Sequence, residues 1–324
     1  MTSLRTPANW LAGYIPELPT PFRDNGDLDL KALARLCEFQ IESGVSAIVV
    51  GETAGEASTL TPDEHDRVVH CAVEAAGGRI QIIAGAGSNS TNHAVQLTRR
   101  AAAAGAQAVL SVVPYYNKPM QSGIYAHFRA VADSTALPVI VHDIPSRTVR
   151  GLSDETLARL AASKQFIGLR DGTGDIGRLG RLRPLLPPEF RLLSGDDATA
   201  LAYLAAGGHG CISEISNVVP ELCRAVYAKC QQGRLRSARS LFNRLMPMAS
   251  LLAGGHPAAL KYALSLLGSM QPTTRLPIVQ LNDTAKAAVA NAIAELVVLV
   301  NAGDASRAMP VRDHACNALP DDRP

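Results

Sequence analysis

Residues 108–143, AVLSVVPYYNKPMQSGIYAHFRAVADSTALPVIVHD, contain the alternation that decides the fold. The apolar run Ala108–Val113 predicts a buried strand, and so does the second apolar run, Pro138–Asp143. Between them, Gly123–Asp133 has the apolar spacing of a helix. A strand, a helix and a strand in this order predict a parallel βαβ unit, because the helix returns the chain to the start of the sheet.

The same alternation continues on both sides of this unit. Six further strands are predicted, each separated from the next by a segment long enough for a helix. They lie at Ile15–Pro21, Ser46–Gly51, Ile80–Ala84, Phe166–Arg170, Phe190–Ser194 and Gly210–Ile215. Eight parallel strands with helical crossovers predict an α/β fold, a TIM (β/α)8 barrel, with a doubly wound sheet as the alternative.

The strand pattern stops near residue 220. We therefore assign residues 1–220 to the barrel core and residues 221–305 to the last barrel helix and a small C-terminal helical extension. Residues 306–324 are polar and contain proline, which is typical of a flexible tail.

The composition argues against several classes of function. The formal net charge is +2 and the arginines are scattered, so neither nucleic acid nor an anionic membrane surface is expected as a partner. No run approaches the ~20 apolar residues of a membrane span, and the N-terminus lacks the apolar core of a secretion signal. We therefore expect a cytoplasmic protein with reduced cysteines.

No cofactor or metal motif is present. The six cysteines form no CxxC pair and no zinc-like cluster with histidine, and no GxGxxG opens the first helix. We therefore expect neither a cofactor nor a metal ion.

In a barrel of this kind the reacting groups follow the carboxyl ends of the strands. Six strings lie at these ends or lead into them: GETAGE at 51–56, VPYYNKP at 113–119, HDIPSRT at 142–148, GLRDGTG at 168–174, LLSGDD at 192–197 and GGHGCIS at 207–213. In order and spacing they resemble the dihydrodipicolinate synthase and N-acetylneuraminate lyase superfamily, most strongly dihydrodipicolinate synthase. The resemblance extends from about Gly13 to Leu276.

This resemblance implies an aldolase-like reaction on pyruvate. A strand 6 lysine forms a Schiff base with the ketone, which acidifies the neighbouring methyl group. A strand 5 tyrosine relays protons, with help from a strand 2 hydroxyl and a tyrosine of the adjacent subunit. The resemblance also implies a homotetramer built as a dimer of dimers.

Carried over to this sequence, the resemblance gives roles to individual residues. Thr53 matches the strand 2 hydroxyl in the loop that receives the pyruvate carboxylate, and Ala54 stands where a second hydroxyl is usual. Tyr116 matches the tyrosine that crosses the subunit interface, and Arg147 matches the arginine that binds the second substrate's carboxylate. Two further positions, Gly195 and Ile212, match walls of the substrate pocket.

Two positions depart from the family pattern. Arg170 occupies the position of the Schiff-base lysine, and His142 occupies that of the strand 5 tyrosine. A guanidinium group stays protonated, with a pKa above ~12, so it has no lone pair with which to attack a ketone. The usual lysine chemistry is therefore predicted to be absent unless another lysine replaces it, and Lys118 is the one near the barrel mouth.

Alternation along the strands predicts that Glu17, His142, Arg170 and Glu214 converge on one pocket. One interpretation is a remodelled site for a small keto acid, in which Arg170 binds or polarises the ligand and His142 is the general acid–base. The alternative is a catalytically inactive paralogue that binds or senses a small carboxylate. In that case Arg170 is held by Glu17 or Glu214 in an inert salt bridge. A metal at these carboxylates is disfavoured, since Arg170 would repel the cation.

Overall fold

The computed structural model describes residues 8–253 and 257–301, and the strands of this part form one eight-stranded sheet. The strands are β1 (Gly13–Pro16), β2 (Ala47–Val50), β3 (Gln81–Gly85), β4 (Ala108–Val112), β5 (Val139–Asp143), β6 (Phe166–Asp171), β7 (Arg191–Ser194) and β8 (Gly210–Ser213). Their order across the sheet is β1-β8-β7-β6-β5-β4-β3-β2, with parallel pairing throughout.

The two edges of this sheet meet, so the sheet closes. Glu17 forms a parallel bridge with Val49, and the Leu18 N–H donates to the Val49 carbonyl oxygen at 2.9 Å. These contacts join the end of β1 to β2. The predicted TIM barrel is therefore confirmed.

Helices surround the barrel and follow the strands. They are α1 (Leu30–Glu42), α2 (Pro62–Ala76), α3 (Thr91–Ala103), α4 (Gln121–Asp133), α5 (Pro145–Thr148), α6 (Asp154–Ala161), α7 (Ile176–Leu182), α8 (Ala200–Ala205), α9 (Pro220–Gln231), α10 (Leu235–Leu252), α11 (Pro257–Leu266) and α12 (Asp283–Asn301). Within the described ranges, no helix has the length and apolar character needed to cross a membrane.

The barrel interior changes character along its axis. Side chains from alternate strand positions, among them Ile15, Val49, Leu110 and Ile140, form an apolar cluster inside the sheet. A second, larger apolar cluster lies between the sheet and the helices. Towards the carboxyl ends of the strands the interior becomes polar, and this end holds the site.

Strands β1 and β8 end two or more residues earlier than predicted. β1 is Gly13–Pro16 and not Ile15–Pro21, because Pro19 and Pro21 lack the N–H groups that a ladder needs. β8 stops at Ser213 because the next two N–H groups, those of Glu214 and Ile215, donate to the Asp197 carboxylate at 2.8 and 3.0 Å. These donations turn the chain away from the sheet and position Glu214.

The C-terminal extension fixes the loop after β2. Lys261 on α11 forms a buried ion pair with Glu56 and lies 4.0 Å from the centre of the Phe22 ring. Arg275 donates two hydrogen bonds to Glu64. These contacts hold the loop after β2 in place beside the site.

The assignment of residues 1–220 to the barrel core and 221–305 to the extension stays a prediction. The tail predicted at residues 306–324 lies outside the described residues.

Candidate functional site

A cavity of about 350 Å³ opens at the carboxyl ends of the strands. Among the residues that line it are the predicted site residues Thr53, Arg147, Arg170, Gly195, Ile212 and Glu214. The other residues that line it are Ile144, Ser146, Gly172, Asp196, Asp197, Ala249, Leu252 and Ala253.

Arg170 forms the inner wall of this cavity. It lies on β6, and its side chain points inward between the ends of β1 and β2 with 3 % of its surface exposed. Its Nη1 lies 2.6 Å from Glu17 Oε2 and 3.3 Å from Glu52 Oε2. Its Nε has no hydrogen-bond partner among the described residues. The guanidinium is thus held on one side only.

Gly195 provides the space for this arginine. A Cβ atom at Gly195 would lie 3.2 Å from Arg170 Cγ and 3.1 Å from the Gly172 nitrogen. Contacts this tight would force one of them to move. The predicted pocket wall is therefore also the clearance that Arg170 needs.

Glu52 contacts both His142 and Arg170, and it was not among the predicted site residues. Its Oε1 lies 3.0 Å from His142 Nδ1, and its Oε2 contacts Arg170. Alternation from Ala47 and Val49, which face the interior, would turn residue 52 outward. The intervening Gly51 has φ +64°, a left-handed conformation that ends the alternation and turns Glu52 inward.

Two carboxylates of the protein accept hydrogen bonds from the backbone N–H groups of the loop after β2. Ala54 N–H donates to Glu17 Oε1 at 2.5 Å, and Thr53 N–H donates to Glu52 Oε2 at 2.5 Å. Two consecutive backbone donors make a ready anion site. Here that site already contains two acids.

Burial sets the protonation of the acids around Arg170. It raises the pKa of Glu17 to about 7, although Arg170 opposes the shift. Burial also raises the pKa of Glu214, helped by the charges of Glu17 and Asp197, to about 8. In contrast, Glu52 has a pKa well below its usual value, because the opposing effects of His142 and Arg170 outweigh its burial.

His142 is neutral in this setting, since burial and the charge of Arg170 lower its pKa. Its Nδ1 therefore donates to the ionised Glu52, which leaves Nε2 as an acceptor. Nε2 has no partner among the described residues, and the side chain has no exposed surface. His142 lies behind Glu52 and does not line the cavity.

Three other predicted site residues also lie away from the cavity wall. Glu17 is fully buried behind Arg170. Ala54 is fully buried as well, and its N–H donates to Glu17, so its predicted contact with a ligand stays a prediction. Tyr116 is 87 % exposed on the outer surface, with φ +70°. It lines neither this cavity nor a second cavity on the other side of the loop after β2.

A second cavity, of about 480 Å³, lies on the other side of the loop after β2. Thr53 and Arg147 line both cavities, and Glu52 and Tyr115 line only the second. No lysine lines either cavity among the described residues. Lys118 is exposed outside both, and Lys261 is buried against Glu56. The same ranges contain no group of three side chains that could hold a metal ion.

Comparison with known proteins agrees with this architecture. The chain is 46 % identical over 292 residues to a 4-hydroxy-tetrahydrodipicolinate synthase of Methylobacterium radiotolerans, covering 90 % of this chain and 97 % of that one. The solved structure of the 4-hydroxy-tetrahydrodipicolinate synthase from Methylacidiphilum fumariolicum SolV superposes with a TM-score of 0.87 at 36 % identity, covering 90 % and 97 % of the two chains.

A further solved relative was determined with a bound ligand. The chloride-inhibited dihydrodipicolinate synthase of Acinetobacter baumannii, complexed with pyruvate, superposes with a TM-score of 0.85 at 36 % identity, covering 89 % of this chain and 99 % of that one. The model of the dihydrodipicolinate synthetase family matches residues 10–296. The chain therefore belongs to the dihydrodipicolinate synthetase family.

Proposed function

We propose that this protein binds a small, pyruvate-like 2-keto acid in the 350 Å³ cavity and acts on it as a lyase without a lysine Schiff base. One observation carries the proposal: Arg170 forms the inner wall of the cavity, and no described lining residue is a lysine. The pyruvate complex of the Acinetobacter baumannii relative supports the ligand class.

The chemistry of arginine supports a noncovalent role. Glu17 and Glu52 raise the pKa of Arg170 despite its burial, so the guanidinium keeps its proton. A protonated guanidinium cannot attack a ketone, but it can donate hydrogen bonds to a carboxylate or to a developing oxyanion.

The occupied loop supports a changed position for the ligand. The family resemblance assigns the N–H groups near Thr53 to the pyruvate carboxylate, but Glu17 and Glu52 already accept from this loop. A carboxylate ligand then needs another cation. Arg147, which is exposed and lines the same cavity, is suited to this role because a guanidinium binds a carboxylate through two parallel hydrogen bonds.

A second candidate function is noncatalytic binding of a small carboxylate. The observation in its favour is that His142, the predicted general acid–base, has no exposed surface and lies behind Glu52. A base that cannot contact the ligand directly cannot transfer its proton without a water molecule or a movement. A binding protein would keep the cavity and need no such base.

We also propose assembly into a homo-oligomer, with the tetramer of the family resemblance as the expected form. Tyr116, Met120 and Leu276 support this, since each is a large hydrophobic side chain with more than three quarters of its surface exposed in the single chain. Sedimentation would distinguish a monomer from a tetramer.

The function is tested by calorimetry and turnover with pyruvate, 2-oxobutyrate and oxaloacetate. Binding and turnover that are both lost in Arg170→Met support the lyase. Binding without consumption of any of these acids supports the second candidate. An absence of binding by all three contradicts both. Condensation of pyruvate with aspartate semialdehyde, measured in the same preparation, tests the activity for which the curated relatives are named.

A further inference from the structure

Glu214 has a fixed backbone and an unsatisfied side chain. Its N–H donates to Asp197 Oδ2 at 2.8 Å, and its carbonyl oxygen accepts from Asn217 Nδ2 at 2.9 Å. The side chain lines the 350 Å³ cavity, and its Oε2 is buried without a hydrogen-bond partner among the described residues. A buried polar atom without a partner is rare in native proteins, and in a cavity wall it points to a ligand.

The groups that face Glu214 come from several elements. Glu17 extends from the end of β1 and Asp197 follows β7, and both favour the protonated form of Glu214. Arg170 on β6 and Arg147 on α5 favour the ionised form. Burial and the two acids prevail, so the pKa of Glu214 rises to about 8 and the group is mainly a neutral acid at neutral pH.

A neutral carboxylic acid can donate a hydrogen bond, which a carboxylate cannot do. We propose that Glu214 donates a hydrogen bond from its protonated carboxyl group to the keto oxygen of the ligand, while Arg147 binds the ligand's carboxylate. This inference rests on the proposed function, which supplies the 2-keto acid. A buried carboxylic acid that is kept neutral is a known means of stabilising a carbonyl oxygen as it gains negative charge.

Donation by Glu214 makes ligand binding depend on its proton. Below the pKa of Glu214 the donor is present and the affinity is at its plateau. Above that pKa the proton must be taken up before the ligand binds, so the dissociation constant rises about tenfold for each pH unit. A ligand recognised by the arginines alone would show no such dependence in this range.

The test is calorimetric titration with pyruvate between about pH 6 and about pH 10, in two buffers of different ionisation enthalpy. We expect the wild-type protein to take up a proton on binding and to lose affinity above pH 8 or so. Glu214→Gln keeps an N–H donor but cannot ionise, so its affinity should be constant above about pH 8, where Glu17 is already ionised. Asp196→Asn, an acid-to-amide change in the same cavity wall, should retain the wild-type dependence.

Three results would overturn the inference: pyruvate affinity in the wild type that does not change with pH, affinity that rises with pH, or the same loss of affinity in Glu214→Gln. If pyruvate does not bind at any pH, the proposed function is contradicted, and infrared spectroscopy of the ligand-free protein decides the inference. A protonated-carboxyl band at neutral pH that is missing in Glu214→Gln supports the neutral acid. Identical spectra of the two proteins overturn it.

Discussion

Arg170 and Arg178 are two buried arginines with opposite surroundings. Each has 3 % of its surface exposed, and each contacts more than one carboxylate. Arg178 lies on α7 outside the sheet, while Arg170 points into the barrel. We propose that the difference between them separates a structural arginine from one that binds a ligand.

All three nitrogens of the Arg178 guanidinium have acceptors. Nη1 lies 2.7 Å from Asp143, Nε donates to Asp154 at 3.0 Å, and Nη2 donates to the Leu152 carbonyl oxygen at 2.7 Å. The Asp143 carboxylate also accepts from the Leu152 N–H. This network joins β5, β6, α6 and α7 and gives every nitrogen of the guanidinium at least one acceptor.

The Arg170 cluster is incomplete in comparison. Arg170 Nε, His142 Nε2 and Glu214 Oε2 are buried and have no partners among the described residues. Burying a polar group without a partner costs free energy, and we propose that a ligand satisfies part of this cluster, because Arg170 and Glu214 line the cavity. The four predictions below test this contrast, beginning with the largest effect.

Replacement of Arg178, whose three guanidinium nitrogens all have acceptors, should be the most damaging change. Arg178→Met leaves Asp143 and Asp171 buried without their cation, and we expect a loss of about 3–5 kcal/mol in the free energy of unfolding. Urea denaturation followed by circular dichroism measures it. Arg178→Lys should give an intermediate loss and serves as the comparison if the methionine variant is insoluble. Stability equal to the wild type would remove the structural role.

Replacement of Arg170, whose Nε has no acceptor, should cost less stability and should abolish ligand binding. In Arg170→Met, Glu17 can take a proton, because burial already raises its pKa to about 7, and Glu52 keeps its contact with His142. We expect a loss of about 1–3 kcal/mol in the same denaturation assay, with no detectable pyruvate binding. A loss as large as that of Arg178→Met would contradict the contrast.

The buried acids around Arg170 should also make the stability of the protein depend on pH. Folded Glu17 and Glu214, with pKa values of about 7 and about 8, hold protons that unfolded glutamates release near their ordinary pKa of 4.5. The folded state therefore binds more protons between these limits, and stability from these groups falls as pH rises from about 5 to about 8. Thermal unfolding of the wild type and of Glu214→Gln measures it, and the variant should have the shallower slope. A steeper slope in the variant would reverse the sign of this account.

The smallest effect is expected at Arg181, the exposed neighbour of Arg178 on α7. It pairs with Asp154 at 3.2 Å and Asp175 at 2.8 Å, but more than half of its side chain is exposed. Arg181→Ala should leave the free energy of unfolding nearly unchanged, since solvent screens such pairs. A loss comparable to that of Arg178→Met would mean that burial does not distinguish the two positions.

Much of the fold could be predicted because its signals are local. Apolar runs and helix spacing depend on near neighbours in sequence, and both appear in the structure as strands and helices. The strand ends were less predictable. β8 stops where Asp197 accepts from Glu214 and Ile215, a contact between residues far apart in the chain.

The site was predictable where strand alternation applied and not beyond it. Alternation indicated that Arg170 and Glu17 share the barrel interior, and they lie in contact. Glu52 was missed because Gly51 interrupts the alternation with a positive φ. That single turn also brings the Glu52 carboxylate inward, to within 3.0 Å of His142 Nδ1.

The central claim is that Arg170 replaces lysine chemistry with noncovalent recognition. Borohydride reduction in the presence of pyruvate, followed by intact-protein and peptide mass spectrometry, tests it most directly. A family member that retains the Schiff-base lysine serves as the positive control. We predict that this protein keeps its unmodified mass while the control gains the reduced adduct. An adduct on any lysine of this chain, Lys118 included, would contradict the account.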